Sequence, residues 1–421
     1  MKHDCLVIGG GLAGLTAGIR CAEAGLKVTV LSSGESALTF SSGAIDVLGM
    51  DTSGMPVRHP FQGIGRLIVE QPDHPYALLG GNSVYRALDW FQGQVAETGL
   101  KLVTAKILEE NHWRLTAAGA LRPAWLSQPT AGTLDWDFDE IRRVVFVNFT
   151  GFLDFMPELA SAGLKTNKAF EHVCVSSLNI TLPLENGSGA TADTMRSTQL
   201  ARAIGESDIE LISSTLLEKV GDADLVAMPA CLNVAGRNWL EELRRRTGLN
   251  IIEVATLPPS VHGIGLLRAL RSRFAALGGF YVPAVPVKQG VVSNGRVESV
   301  QTPDDILEAN HYILTTGSYF SKGMTSKQQG VSEPVFGLDM QASEEFCDSR
   351  FLAREGHGFN RTGVVFNKHL QPSINGQSIE NLHVAGALLA GYDPIIEGSG
   401  GGVAISTAWK AAGEVIEKMG L

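Results

Sequence analysis

The stretch "CLVIGGGLAGLTAGIRCAEAGLKVTVL", Cys5 to Leu31, constrains the fold more than any other part of the chain. Leu6, Val7 and Ile8 are a short apolar run of the kind buried in a parallel sheet. Gly9, Gly11 and Gly14 then fit G-x-G-x-x-G, with Leu12 and Ala13 opening a helix of small residues that runs to Ala24. Gly25 stops that helix, and Val28 to Leu31 forms the next strand. A strand, helix and strand this close together make a right-handed crossover with the two strands parallel. The fold class that follows is α/β, a Rossmann-like sheet of parallel strands.

The spacing of the glycines carries a chemical reading. Gly9 permits the tight turn, Gly11 lets a phosphate approach the backbone, and Gly14 lets helix and strand pack closely. The helix start then offers unpaired N–H groups and a positive dipole end to an anion. A dinucleotide site usually places an acidic residue about 20 residues further on, to grip a ribose hydroxyl. Here the strand ends on Ser32 and Ser33. A serine gives no charge-assisted bond. Two ligands fit: an FAD with a relaxed adenosine clamp, or a flavin mononucleotide whose phosphate alone uses the turn. The 2′-phosphate of NADP is disfavoured, because no Arg follows Ser32 closely.

The rest of the chain divides around this beginning. At 421 residues it is long enough for two domains. Residues 1–130 and 271–421 read as one flavin- or dinucleotide-binding domain, and 131–270 as an inserted α/β cap or substrate domain. "VKQGVVSNGRVESVQT" predicts a hairpin turning at Asn294–Gly295. "ILTTG" is a strand ending at Thr316 and Gly317, and "NLHVAG" a strand ending at Gly386. "EGSGGGVAISTAW" places Gly400, Gly401 and Gly402 before a last helix, whose dipole would favour the negative charge of a reduced flavin.

Composition closes off several alternatives. The net charge of −10 argues against a nucleic-acid partner, while leaving room for a local basic pocket that takes a small phosphorylated molecule. Five scattered cysteines without a C-x-x-C offer no iron–sulfur or zinc site, so no metal is expected and electrons must leave through a partner or to a diffusible acceptor. No signal sequence and no membrane span are expected, which points to a cytoplasmic chain.

The N-terminal glycine pattern, "ILTTG" and "NLHVAGALL" resemble the flavoprotein group of fumarate reductase and succinate dehydrogenase. "GESALTFSSGAIDVLG", "TGFLDF", "TLPPSVHGIGLLRAL" and the C-terminal glycine loop narrow the resemblance to the B-subunit family of anaerobic glycerol-3-phosphate dehydrogenases. It extends over essentially the whole chain. The resemblance implies a flavoprotein, generally assigned FMN with FAD not excluded. It implies a catalytic A subunit and an iron–sulfur C subunit that anchors the assembly at the inner membrane. It also implies oxidation of sn-glycerol 3-phosphate to dihydroxyacetone phosphate, with electrons passed to quinone. The chain departs from the broader group at Ala387, where that group is acidic. Alternative roles are a flavin-binding scaffold or electron relay, and a self-sufficient soluble oxidoreductase.

Alcohol oxidation by a flavin needs a hydride acceptor and a base. Ser41, Ser42 and Gly43 are candidates for the wall over the flavin, with an ordinary serine turn as the alternative. His262 is a candidate base or phosphate ligand, with a polar helix start as the alternative. His357 and Arg361 are candidates for binding a phosphate or carboxylate, with a surface loop as the alternative. His383 reads as a strand histidine with its hydrogen bonds satisfied and Arg244–Arg246 as a solvated helix face.

Overall fold

The computed structural model describes residues 3–184, 191–234, 236–328, 330–343, 345–351, 353 and 355–421. The chain forms two compact units: residues 1–38, 45–101 and 266–421 make the first, and 39–44 with 102–265 the second. The sequence places the inserted domain at 131–270. The second unit starts earlier, because it takes in the hairpin of His112–Leu115 with Leu121–Ala124, and it includes the short excursion 39–44.

The first unit is built on a five-stranded parallel sheet. Its order is Phe280–Val282, β2 (Val28–Leu31), β1 (His3–Ile8), Ala309–Leu314 and Leu382–Val384. The inner strands read as continuous apolar runs because both faces are covered. The helix α1 (Leu12–Glu23) is rich in Ala and Gly and is buried along most of its length. It lies against the C-terminal helix Gly400–Lys418, where the Arg20 guanidinium stacks 3.5 Å from the centre of the Trp409 ring and donates to the Trp409 carbonyl. The predicted hairpin pairs Gln289–Ser293 with Arg296–Gln301. Asn294 and Gly295 both have positive φ, 50° and 72°, as a type I′ turn requires.

The second unit carries its own parallel sheet, ordered Ile251–Val254, Leu225–Pro229, Arg143–Phe149 and Cys174–Ile180. Its core includes Phe146, Phe149, Phe155, Ile212 and Leu243, all fully buried or nearly so. Both units are thus α/β, with the antiparallel hairpin inserted in the first.

Candidate functional site

The glycine turn is held by its own geometry. Gly9 has φ +119°, and a Cβ there would overlap the Thr315 carbonyl oxygen; one on Gly14 would overlap the Gly9 carbonyl oxygen. Only glycine fits at either place. In front of Gly11 the space is open, the Ser36 hydroxyl being the one neighbour, 3.8 Å from a Cβ. The Gly9 N–H donates to the Leu31 carbonyl, but among the described residues the N–H groups of Gly10, Gly11, Leu12, Ala13 and Gly14 have no hydrogen-bond acceptor. An unsatisfied run of N–H groups at a helix start is the local condition for phosphate binding.

Ser32 is buried, and its hydroxyl donates to the Gly34 carbonyl at 2.9 Å. Its neighbour Ser33 is exposed. On the other side of β1, Thr315 Oγ1 donates toward the carbonyls of Ile8 and Gly9. The next hydroxyl, Thr316 Oγ1, is buried without a partner, and Gly317 turns the chain with φ +84°. Gly386 has φ +79°; a Cβ there would stand 2.8 Å from that of Ala13, so the first turn of α1 requires a glycine at this point.

The C-terminal glycines serve packing as well as any ligand. A Cβ on Gly401 would lie 3.0 Å from the Asp46 carbonyl oxygen, and one on Gly402 would overlap the Tyr76 hydroxyl. The Gly402 N–H donates to Asp46 O at 2.6 Å, whereas those of Gly400 and Gly401 have no acceptor among the described residues. The loop before this helix is pinned from within. His74 Nδ1 accepts from the Tyr76 N–H, so its Nε2–H donates to Glu397 at 3.1 Å. Burial opposes ionisation of Glu397, yet His74, the Asp393 N–H and the Ser399 hydroxyl hold its carboxyl below the ordinary value.

In the second unit the chain brings together a buried polar cluster. His262, 2% exposed, has Nε2 3.0 Å from both Glu253 Oε2 and Thr130 Oγ1. Glu253 also accepts from the Leu232 N–H at 2.7 Å. Gln128 donates to the His262 carbonyl. His262 Nδ1 has no partner. Gly43 lies directly against this histidine: with φ +72°, its Cβ would stand 2.8 Å from the His262 backbone and 2.9 Å from Gln128 Nε2. The hydroxyls of Ser41 and Ser42 accept from the N–H groups of Gly43 and Ala44. The sequence reading missed Glu253 and Thr130. The signal for Glu253 was present, a carboxylate inside the apolar strand "NIIEVAT".

The other candidates, His357 and Arg361, belong to the first unit. His357 uses both ring nitrogens within its own loop, accepting from the Asp348 N–H and facing the Phe351 carbonyl, and it stacks on Phe359. The Arg361 side chain is exposed, with no partner among the described residues. None of the described residues group into a set of three or more His, Cys, Asp or Glu able to hold a metal ion.

A family model described as FAD binding domain matches residues 4–403. A protein of Aliivibrio fischeri (strain MJ11), named as the B subunit of anaerobic glycerol-3-phosphate dehydrogenase, is 36% identical over 439 residues, covering 100% of this chain and 96% of that one. The chain belongs to this B-subunit family of FAD-binding-domain flavoproteins. A relative of the same name from Vibrio vulnificus (strain YJ016) is 38% identical over 98% of this chain and 95% of its own. Among solved structures, an E. coli quinol fumarate reductase chain aligns with a TM-score of 0.45 at 8% identity, over 100% of this chain and 71% of that one. Membership makes the chain a flavin-binding oxidoreductase subunit. The open space at Gly11 and the unsatisfied N–H groups of α1 fit the phosphate end of a flavin nucleotide.

Proposed function

We propose that this chain is the flavin-binding subunit with which an anaerobic glycerol-3-phosphate dehydrogenase oxidises sn-glycerol 3-phosphate to dihydroxyacetone phosphate, and that its flavin is FMN. The observation that carries the reading is the run of unsatisfied N–H groups at the start of α1, in a chain that matches its B-subunit relatives from end to end. A flavin bound there supplies the acceptor for the hydride leaving the alcohol carbon. The turn Gly9–Gly14 holds its phosphate. The start of the helix Gly400–Lys418 lends positive potential to the first unit.

His262 takes the hydroxyl proton. Glu253 holds the Nε2–H by a hydrogen bond, which leaves the lone pair on Nδ1 to accept. His357 and Arg361 fall to a supporting role, His357 shaping its loop and Arg361 available to a phosphate. Among the described residues no three His, Cys, Asp or Glu side chains group as a metal site, and the five cysteines form no disulfide. Electrons pass to a catalytic A subunit and an iron–sulfur C subunit, and on to quinone. The chain attaches to the membrane through those partners: no described helix is long and apolar enough to cross one.

The near-complete burial of His262 favours a second reading, in which this subunit relays electrons or scaffolds the partner that meets substrate. One experiment separates the two. The chain is loaded with flavin and mixed anaerobically with glycerol 3-phosphate while the flavin absorbance is followed. Bleaching by the chain alone is expected. Bleaching only after the A subunit is added would sink the catalytic reading and leave the relay.

A further inference from the structure

Residues 48–70 build a cavity in the first unit that the flavin-binding reading leaves unused. Its walls are a loop and the helix α2 (Pro60–Glu70). The loop is fixed at its base. The Gly49 N–H donates to the carbonyls of Glu397 and Gly398, the Val57 N–H donates to the Gly49 carbonyl, and Met50 bridges Pro56. Gly63 lets the helix close on that base, since a Cβ there would stand 2.9 Å from a Val57 methyl and 3.0 Å from a Leu48 methyl. Leu48, Val57 and Leu67 supply an apolar floor, and the cavity they help to enclose measures about 340 Å³. That volume suits a small organic molecule.

The polar lining is uneven in charge. It holds Arg58, His59 and Arg66, and also Asp51 and Glu70. Both carboxylates are engaged on the loop. Asp51 Oδ1 accepts from the Ser53 and Met55 N–H groups, each at 2.9 Å. Glu70 Oε2 accepts from the Thr52 hydroxyl at 2.6 Å. Arg66 is different: among the described residues its guanidinium has no carboxylate and no carbonyl partner. Gln62, Arg66 and Glu70 follow at intervals of four, so they share the helix face that lines the cavity. His59 and Gln62 bring the start of α2 to the same opening, where the positive end of the helix dipole adds to the guanidinium groups. Two arginines match an anion of charge near −2. A phosphate monoester carries about −1.5 to −2 near neutral pH and offers three strong acceptor oxygens to their planar donors. A lone carboxylate brings a single negative charge and two oxygens.

We propose that this cavity is a second ligand site, which takes a small phosphate monoester. Arg58 and Arg66 hold the phosphate, and the organic part rests on Leu48, Val57 and Leu67. The site is separate from the glycine turn, none of whose residues 9–14 lines the cavity. It therefore stands or falls independently of the flavin-binding reading. A free metabolite and a lipid headgroup both present the same monoester, and the test distinguishes them.

The test is calorimetric titration of the full chain with its flavin bound. The probes are phenyl phosphate, methyl phosphate and benzoate. Sedimentation with phosphatidylcholine vesicles, with and without phosphatidic acid, is the lipid arm. Phenyl phosphate is expected to bind more tightly than methyl phosphate, through the apolar floor, and more tightly than benzoate, through its charge. Arg66→Gln and Arg58→Gln are each expected to weaken it about tenfold, the worth of a hydrogen bond to a charged group. Arg66→Lys, which keeps the charge and loses the fork, is expected to fall between Arg66→Gln and the wild type. Flavin absorbance per chain and the urea midpoint, unchanged in all three variants, are the check on folding. Arg66-dependent binding of phenyl phosphate without retention on acidic vesicles supports a free ligand. Arg66-dependent retention on phosphatidic acid vesicles supports the lipid headgroup. Binding that neither Arg66→Gln nor Arg58→Gln weakens would overturn the proposal, as would benzoate or methyl phosphate bound as tightly as phenyl phosphate. So would a wild type that takes up neither phenyl phosphate nor acidic vesicles. Each of these results leaves flavin binding intact.

Discussion

Single residues divide into those whose need is geometric and those whose need is chemical. Gly14 is of the first kind, since any side chain meets the Gly9 carbonyl oxygen. Gly14→Ala is expected to cost at least about 1–3 kcal/mol of stability through overpacking and to lower the bound flavin, read by denaturant unfolding and by flavin absorbance per chain. His262 is of the second kind. His262→Gln is expected to lower the turnover of glycerol 3-phosphate by about 10²–10⁴-fold, the usual worth of a general base, with flavin content kept. Glu253→Gln, which retains a hydrogen-bond acceptor for Nε2, is expected to lower it less. Equal turnover in both variants and the wild type would remove His262 from the chemistry. The glycines were legible because their spacing is fixed by a local turn. The His262 cluster was legible only in part: Thr130 and Glu253 reach the histidine through tertiary packing, and Thr130 is 132 positions away in sequence.

Elements show the same limit of local reading. The predicted strands and the Asn294–Gly295 turn form because period, turn chemistry and burial agree. What fixes the C-terminal glycine loop is a contact across 323 residues, His74 with Glu397, and no local pattern announces it. Both side chains are buried, so His74→Ala leaves a carboxylate without its partner. Losing a hydrogen bond to a charged group costs about 1.5–3 kcal/mol, and lower stability to urea at pH 7 is the expected result. The pH dependence has a definite sign. Glu397 titrates below its ordinary value in the folded chain. Its contribution is complete above about pH 4.3, the unfolded value, and is lost as pH falls through the lower folded one. Glu397→Gln is expected to flatten the stability profile in that acid range, measured by urea midpoints at stepped pH.

At the scale of the whole molecule, the chain leaves and re-enters its nucleotide-binding unit, and acid tests both units together. His112 in the second unit and His383 in the first are both fully buried, and burial lowers each to about 4. His112 Nε2 faces the Ser127 hydroxyl and His383 Nδ1 the His369 carbonyl, while the remaining ring nitrogen of each has no partner. Burial, reinforced by the charge of Arg114 for His112 and of Lys418 for His383, keeps them neutral. An unfolded histidine protonates near pH 6.5, so between there and about pH 4 the unfolded chain binds protons that the folded chain refuses. Stability is therefore fully present above about pH 6.5 and falls with acid, by about 3 kcal/mol for each histidine across the window. Urea unfolding at stepped pH, followed by fluorescence, is expected to show each unit weakening over that range. His383→Gln is expected to reduce the slope in the first unit alone and His112→Gln in the second alone. A profile flat from pH 7 to 5 in the wild type would mean that neither histidine is held neutral by burial.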